Sequence, residues 1–205
     1  MPSGRAHKYG DGREALLAAV VGVVAEKGLR GLTYRAVAER AGVNNTLISH
    51  YFGSRSALLE AAMEWASARS IRLSDLSATE EVDEDFARAL VELVQAEPEL
   101  QLFQYEMILE SRRKPELRPS AVKLYENYVA SMQQALQKHG YQDTGPLARA
   151  IFAALDGLVL QQLTVADTDS IHDAILRVGQ MLERTPRQQR SGVEKSHPAP
   201  KQPVG

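Results

Sequence analysis

Residues 28–59, GLRGLTYRAVAERAGVNNTLISHYFGSRSALL, predict two short helices joined by a tight turn. Thr33 is a residue type that caps helix N-termini, and the apolar residues that follow it recur at helical spacing. Gly42 ends the first helix, because glycine adopts a positive φ without a Cβ clash. Asn44 then caps a second short helix. The stretch is therefore predicted to form a helix-turn-helix.

A helix-turn-helix of this kind places its second helix in the major groove of DNA. Helical bundles also contain hairpins with glycine turns, so the flanking sequence matters. Upstream, Asp11 and Glu14 form a variant capping box that opens a helix ending at Gly28. Downstream, Ser54 or Ser56 begins a further helix. The predicted order is a support helix, a positioning helix, a recognition helix and a long helix leading away.

With these flanks, about a quarter of the chain resembles the amino-terminal domain of the TetR family of transcriptional regulators. Thr46 and Ser49 depart from the family pattern, because many relatives carry glycine and tyrosine there. Both side chains keep hydrogen-bonding capacity, so the departures affect which bases are read rather than whether the helix enters the groove. The matching residues are Leu16-Leu17, Ala25-Glu26-Lys27-Gly28, Thr33, Val37-Ala38, Ala41-Gly42-Val43, Tyr51-Phe52, and Arg55 with Leu58.

The resemblance and the position of the recognition helix together imply a set of DNA contacts. Leu47 is expected to offer an apolar contact to a thymine methyl group. The residues expected to face base edges are Asn45, Thr46, Leu47 and Ser49. The residues expected to hold phosphates are Thr33, Arg35, Asn44, His50, Tyr51 and Arg55.

Charge is distributed unevenly along the chain, whose formal net charge is −2. Residues 1–72 contain 10 Lys and Arg against 6 Asp and Glu, whereas residues 73–184 contain 10 against 19. A basic head favours phosphate contact, and an acidic body keeps the remainder of the protein away from DNA. Small asymmetries of this kind are common, so the charge supports the helix-turn-helix prediction without establishing it.

The composition argues against several other classes of protein. The chain has no cysteine, so it forms neither disulfides nor thiolate metal sites. No apolar run approaches the ~18–20 residues that span a bilayer, and residues 1–10 lack the apolar core of a secretory signal. Metal-ligand spacings, phosphate-binding glycine loops and nucleophile elbows do not occur. We therefore expect a cytoplasmic protein that is not an enzyme and has no cofactor, metal site or membrane partner.

From residue 73 onward every periodic segment is helical, and the sequence contains neither a strand pattern nor an internal repeat. The predicted fold is all-α, with a three-helix helix-turn-helix domain at residues 1–54. Residues 55–184 are predicted to form a helical ligand-binding and dimerisation domain. Residues 185–205 are polar and contain proline, and we expect them to be disordered.

Two predicted helices between residues 147 and 182 carry apolar faces wider than a single core stripe. In the resembled family the last two helices pair with their copies as a four-helix bundle, which sets two recognition helices against two half-sites. We therefore expect a homodimer through residues 147–182 on a palindromic operator, with Leu158 and Ile175 facing outward. The alternative is that the first of these helices is only a core helix, because apolar breadth alone does not separate core from interface.

The resemblance also implies a small-molecule effector inside the helical body. Each candidate lining residue is also an ordinary core residue by type, because aromatic side chains dominate any core. Asp156 stands out, since a carboxylate among leucines and valines needs a partner, and Arg149 or a ligand hydroxyl would serve. The expected ligand contacts are Phe103, Met107, Tyr125, Tyr128, Phe152 and Asp156, with Gln104, Tyr105, Met132 and Gln161 as further inward candidates.

These features together predict a DNA-binding transcriptional regulator whose partners are double-stranded operator DNA and an effector. The expected mechanism is a repressor that a small, mostly apolar ligand releases from its palindromic operator. Two alternatives stay open at this stage. One is a helical ligand-binding or interaction protein without DNA binding, and the other is a ligand-dependent activator.

Overall fold

The computed structural model describes residues 9–74 and 82–187, which form nine α-helices and one 3₁₀ turn without a β-strand. The all-α prediction is confirmed. Residues 188–205, most of the tail expected to be disordered, lie outside the described residues. In chain order the elements are α1 (Tyr9–Gly31), α2 (Tyr34–Ala41), α3 (Asn45–Phe52), α4 (Arg55–Ser74), α5 (Glu84–Ala96), α6 (Pro98–Ser111), a 3₁₀ turn (Pro115–Leu117), α7 (Arg118–Lys138), α8 (Thr144–Thr164) and α9 (Thr168–Glu183).

Helix α1 differs from its predicted bounds at one end. It already includes Tyr9, so the predicted start at Asp11 is wrong. A helix with a broad buried face is stabilised mainly by packing, which extends it past a weak local start signal. The predicted end is confirmed in substance, because Gly28 has φ 64 and ψ 175 and interrupts the helix. Only a short non-continuous turn follows before α2.

The head packs α1, α2 and α3 around a common core, and the local signals at its helix ends are confirmed. The Thr33 hydroxyl accepts a hydrogen bond from the Ala36 N–H at 3.1 Å, which caps α2. The Asn44 side chain accepts from the Thr46 N–H at 3.0 Å, which caps α3. Gly42 between them has φ 66, as the turn requires. The fully buried residues include Leu16, Leu17, Val20, Val37 and Ile48.

The body consists of the remaining helices, and α6 lies among α1, α4, α5 and α7. Its predicted apolar surround follows from this position, because a helix contacted on several sides buries more than one face. Helices α7 and α8 pack together, and α9 packs against α8 and α5. Helix α4 contacts α1 and α3 in the head and α6 and α7 in the body, so it connects the two parts.

Helix α8 corrects one expectation drawn from composition. Thr144–Thr164 is long and apolar enough, by length and composition, to cross a membrane. Buried core helices of globular proteins meet the same criterion, so this observation alone is weak. In the fold, one side of α8 packs against α7 and α9, and Ala148, Ile151 and Leu155 are buried there.

The packing of α9 depends on a glycine. A Cβ atom added to Gly179 would lie 1.9 Å from the Val82 carbonyl oxygen, which is backbone and cannot rotate away. We predict that Gly179→Ala destabilises the protein by about 1–3 kcal/mol and lowers its melting temperature by roughly 2–12 °C. Gly145→Ala is the control, because nothing lies within 4 Å of its added Cβ. Equal melting temperatures for the two variants would show that α9 does not pack this closely.

Candidate DNA-binding face and internal cavity

Helix α3 presents one polar face to solvent. Asn45, Thr46, Ser49 and His50 are exposed, and their spacing places them along one side of the helix. Ile48 and Phe52 on the opposite side are buried and hold α3 against the head. The exposed side chains all carry hydrogen-bonding groups, the kind of surface that reads base edges in a major groove.

Leu47 and Tyr51 lie at the edges of this face. Both are half-buried and pack against the hydrophobic core. The Tyr51 ring contacts the His50 ring edge-on, with centroids 5.8 Å apart. The predicted contact of Leu47 with a base is therefore restricted to the part of its side chain that the core leaves uncovered.

Two of the predicted phosphate-binding residues are also helix caps. Thr33 is exposed and accepts from Ala36, as described above. The Asn44 Oδ1 atom accepts from both the N–H and the hydroxyl of Thr46, each at 3.0 Å. The side chains of Asn44 and Thr46 are therefore held in fixed positions before any DNA arrives, which reduces the entropy lost on binding.

The two predicted arginines have different surroundings. Arg35 in the first turn of α2 is 84% exposed and donates to Glu39 at 2.8 Å. The hydrogen bond to Glu39 raises the pKa of Arg35 above its ordinary value. Arg55 at the start of α4 donates instead to the Leu29 carbonyl oxygen at 2.8 Å. Arg55 thus connects α4 to the end of α1, in addition to its predicted role.

The opposite side of Leu29 contacts the body. The Leu29 N–H donates to Glu106 Oε1 of α6 at 3.2 Å. At the preceding residue, a Cβ atom on Gly28 would lie 3.1 Å from the same oxygen, and φ 64 disfavours any side chain there. The sequence signal of a C-terminal glycine identified the helix end, whereas its partner on α6 is 77 residues away and was not predicted.

Arg40 makes a second connection between head and body. Its guanidinium donates to both carboxylate oxygens of Glu99 at the start of α6, each at 2.7 Å. It also reaches Glu26 of α1 at 3.3 Å. The guanidinium crosses α1 at Gly22, where an added Cβ would lie 2.2 Å from it. Helix α2 is therefore tied to both α1 and α6.

The body encloses a cavity of about 60 Å³ between α4, α5, α6, α7 and α8. Its wall is mostly apolar and aromatic, with a few polar groups, as is typical of small-molecule sites. The lining residues are Ser70, Leu90, Leu93, Gln101, Gln104, Tyr105, Ile108, Tyr125, Tyr128, Met132, Phe152, Leu155, Asp156 and Val159.

Asp156 is the charged group of the cavity wall. The Tyr105 hydroxyl lies 2.9 Å from Asp156 Oδ1 and 2.8 Å from the backbone carbonyl oxygen of the same residue. The Tyr125 hydroxyl donates to Asp156 Oδ2 at 2.8 Å. Burial, together with the Asp156 carboxylate, raises the pKa of both tyrosines above its ordinary value. The two phenols are therefore neutral hydrogen-bond donors.

A second polar group extends across the cavity. The Tyr128 hydroxyl donates to Gln104 Oε1 at 2.9 Å, and the Gln104 amide donates to the Ser70 hydroxyl at 2.7 Å. Burial raises the pKa of Tyr128 to about 12. The Tyr128 ring stacks on Phe152 with centroids 5.2 Å apart, and Tyr125 meets Phe152 edge-on at 5.3 Å.

The structure brings together four of the six predicted ligand contacts and corrects the other two. Tyr125, Tyr128, Phe152 and Asp156 line the cavity. Phe103 and Met107 are fully buried in the core and do not line it. Helical spacing identified α6 as apolar on several sides but did not show which side faces the cavity.

Three further expectations are corrected or completed. Arg149 is not the partner of Asp156, because it pairs with Glu126 at 2.7 Å. Gln161 is exposed rather than inward. Gln104, Tyr105 and Met132 do line the cavity. The lining residues that sequence reasoning missed come mainly from α4 and α5, whose distance from α8 along the chain hides their proximity: Ser70, Leu90 and Leu93.

The outward surface of α8 and α9 is small and apolar. Its residues recur every three or four positions, which aligns them along each helix. Met181 is 63% exposed despite being a large apolar residue. Ile175 is fully buried, so its predicted outward position is wrong, and Leu158 is half-buried. The residues of this outer stripe are Ala150, Ala153, Ala154, Gly157 and Leu160 of α8 and Ala174, Val178 and Met181 of α9.

Two family models match the chain. Residues 16–62 match the model described as "Bacterial regulatory proteins, tetR family". Residues 81–182 match the model described as "Tetracyclin repressor-like, C-terminal domain". The first covers the helix-turn-helix and most of its supporting helix, and the second covers α5 to α9.

The curated relatives match over the head. BetI of Serratia proteamaculans, named as an HTH-type transcriptional regulator, is 40% identical over 70 residues, which are 32% of this chain and 35% of BetI. BetI of Burkholderia ambifaria is 37% identical over 68 residues, 30% of this chain and 35% of the relative. The chain thus spans about a third of the length of the curated relatives it matches.

Solved structures match over nearly their whole length. A TetR-family regulator from Rhodococcus sp. is 26% identical with a TM-score of 0.70, covering 83% of this chain and 97% of that chain. The multidrug binding protein EbrR in complex with ethidium is 28% identical with a TM-score of 0.61, covering 82% and 98%. With the head and the body each matched by a model of the same family, the chain belongs to the TetR family of bacterial regulatory proteins.

Proposed function

We propose that this protein is a DNA-binding transcriptional regulator that inserts α3 into the major groove of its operator. The observation that carries the proposal is the polar face of α3, on which Asn45, Thr46, Ser49 and His50 are exposed while Ile48 and Phe52 anchor the helix. The basic charge of residues 1–72 supports contact with phosphates. The BetI relatives, which are similar over this same region, are named as HTH-type transcriptional regulators.

The protein is proposed to act as a homodimer through the outer stripe of α8 and α9. Small residues on α8 allow two helices to approach closely, and exposed Leu160 and Met181 would be covered by the partner copy. Pairing about a two-fold axis presents two copies of α3 to two half-sites about 34 Å apart. The proposed operator is therefore palindromic.

An effector in the cavity is proposed to release the repressor from DNA. The cavity of about 60 Å³ is smaller than the roughly 300 Å³ at which most ligand pockets begin, so binding must displace lining side chains. Helix α6 supplies Tyr105 to the cavity and Glu106 to the head, so a shift at one surface moves the other. A 100-fold loss of operator affinity requires about 2.7 kcal/mol of coupling.

The proposed division places the DNA-binding domain at residues 1–54 and the regulatory and dimerisation domain at residues 55–184. The boundary falls between α3 and α4. EbrR, to which the chain is similar over most of its length, is described as a multidrug binding protein and is solved with ethidium, proflavin and imidazole. This similarity supports an effector site in the body. A cytoplasmic location is proposed because operator DNA is found there.

The first test of DNA binding uses Arg35. Arg35→Ala is expected to weaken binding to the DNA upstream of the protein's own gene and to unrelated DNA alike, because a phosphate contact carries no sequence information. The slope of log affinity against log salt should fall by about one unit. Gel-shift titrations at several salt concentrations measure both quantities.

Arg88→Ala is the matched control for this experiment. Arg88 is also exposed and also pairs with a carboxylate one helical turn away, Glu84, but it lies on α5 in the body. It should leave both affinity and salt slope unchanged. Ser49→Ala should weaken binding to the upstream DNA only, because it removes a contact to a base. A wild-type protein that does not distinguish the upstream DNA from unrelated DNA would contradict the proposed function.

The dimer is tested at Met181. Met181→Glu places a charge in the centre of the outer stripe, where burial against a partner copy would leave it unpaired. We expect a monomer at micromolar concentration by sedimentation velocity, with operator affinity reduced at least 100-fold. Leu109→Glu is the control, since Leu109 is 65% exposed, closely matching Met181, but lies on α6. A wild-type monomer, or monomers for both variants, would contradict the proposed interface.

The junction between head and body is tested at Glu106. Glu106→Ala leaves the Leu29 N–H without its acceptor, and the cost of about 1–2 kcal/mol should raise amide exchange at Leu29 by roughly 5–30-fold. Glu106→Gln keeps an acceptor oxygen at the same place and should exchange at nearly the wild-type rate. Hydrogen exchange followed by NMR measures this amide directly. Identical exchange in wild type and Glu106→Ala would show that α6 does not hold the end of α1.

A further inference from the structure

The Asp156 carboxylate has hydrogen bonds but no cation. Its two oxygens accept from the hydroxyls of Tyr105 and Tyr125. Among residues 9–74 and 82–187, no lysine, arginine or histidine forms a salt bridge with it. Arg149, the nearest cationic candidate along α8, is engaged with Glu126.

Two hydrogen bonds do not neutralise this charge. An ionised carboxylate offers about four lone-pair sites, and the tyrosines occupy one on each oxygen. Their own protons stay on the phenols, so the net charge of the group remains −1. In a mostly apolar wall this charge is incompletely solvated, which makes a positively charged neighbour favourable.

The aromatic side chains of the wall favour the same kind of ligand. Tyr128 and Phe152 form a stacked pair, and Tyr125 stands edge-on to Phe152 beside the carboxylate. The face of an aromatic ring attracts cations, by about 0.5–2 kcal/mol depending on desolvation. A carboxylate bordered by several rings therefore resembles sites that hold organic ammonium groups.

We propose that the effector of this cavity is a lipophilic organic cation, with its charged centre at Asp156 and its apolar part against Tyr125, Tyr128 and Phe152. This inference rests on the proposed function in one respect, namely that the cavity is the effector site. It replaces the mostly apolar ligand expected from the sequence with one that carries a positive charge.

A neighbouring groove has the opposite charge and defines the competing outcome. It shares Ile108 and Tyr125 with the cavity and is lined by Arg112, Arg118 and Arg149. Arg112 and Arg118 are exposed, so salt screens their field beyond a distance of about 8–10 Å. The carboxylate in the cavity wall is screened less, and it sets the charge preference of a ligand inside. An anionic ligand would instead use the groove.

Three probes of similar shape separate these possibilities. Phenyltrimethylammonium is the cation, tert-butylbenzene is its neutral isostere, and benzenesulfonate is an anion of comparable size. Binding to the full chain without DNA is measured by titration calorimetry. We expect phenyltrimethylammonium to bind at least tenfold more tightly than either of the other two. Equal or tighter binding of tert-butylbenzene or benzenesulfonate, or no binding of the cation at millimolar concentration, overturns the proposal.

A variant tests the assigned residue. Asp156→Asn keeps the shape and a hydrogen-bond acceptor for one tyrosine but removes the charge, and it should lower affinity for phenyltrimethylammonium at least tenfold while leaving tert-butylbenzene unaffected. Asp173→Asn, at a carboxylate 85% exposed on α9, is the control and should behave as wild type. Undiminished cation binding by Asp156→Asn overturns the assignment. The probe series on the wild-type protein decides the charge preference even if this variant folds poorly.

The two proposals fail separately. Operator binding is measured by gel shift without any probe, whereas the charge preference is measured by calorimetry without DNA. A protein that binds its upstream DNA but prefers the neutral or anionic probe refutes the cation inference alone. A protein that prefers the cation but binds no DNA specifically refutes the proposed function alone.

Discussion

The attachment of the DNA-binding head to the body depends on Leu29, whose backbone is held from two sides. Its N–H donates to Glu106 of α6, and its carbonyl oxygen accepts from Arg55 of α4. Both contacts require the chain to leave the course of α1 at this point, and Gly28 permits this with its positive φ. The orientation of α2 and α3 relative to the body follows from this junction and from the bridge between Arg40 and Glu99.

Helix α6 is the element through which this junction meets the cavity. Adjacent residues serve the two surfaces, since Tyr105 donates to Asp156 and Glu106 accepts from Leu29. A helix moves as a rigid unit because its backbone hydrogen bonds are satisfied internally. Any ligand that displaces Tyr105 therefore also alters the geometry at the end of α1. The small volume of the cavity makes such a displacement necessary for all but the smallest ligands.

Asp156 illustrates how far sequence reasoning reached into the candidate site. Its position in an apolar helix indicated that it needs a partner, but Arg149 was the wrong partner. The tyrosines that fill this role lie 51 and 31 residues away in the chain, on α6 and α7. Such distances are bridged only when helices pack, so no local pattern identifies the pair. The same limit explains why Ser70 of α4 and Leu90 of α5 were missed as lining residues.

The sequence by itself determined the features that depend on neighbouring residues: the caps at Thr33 and Asn44, the turn at Gly42 and the order of the helices. These follow from hydrogen bonds and backbone angles within a few positions. Only the tertiary structure decided which apolar side chains became core, cavity wall or outer surface, as Phe103, Tyr105 and Ile175 show. Helical periodicity gives the angle between side chains on one helix, but the neighbour that each face meets is chosen by contacts between helices distant in the chain.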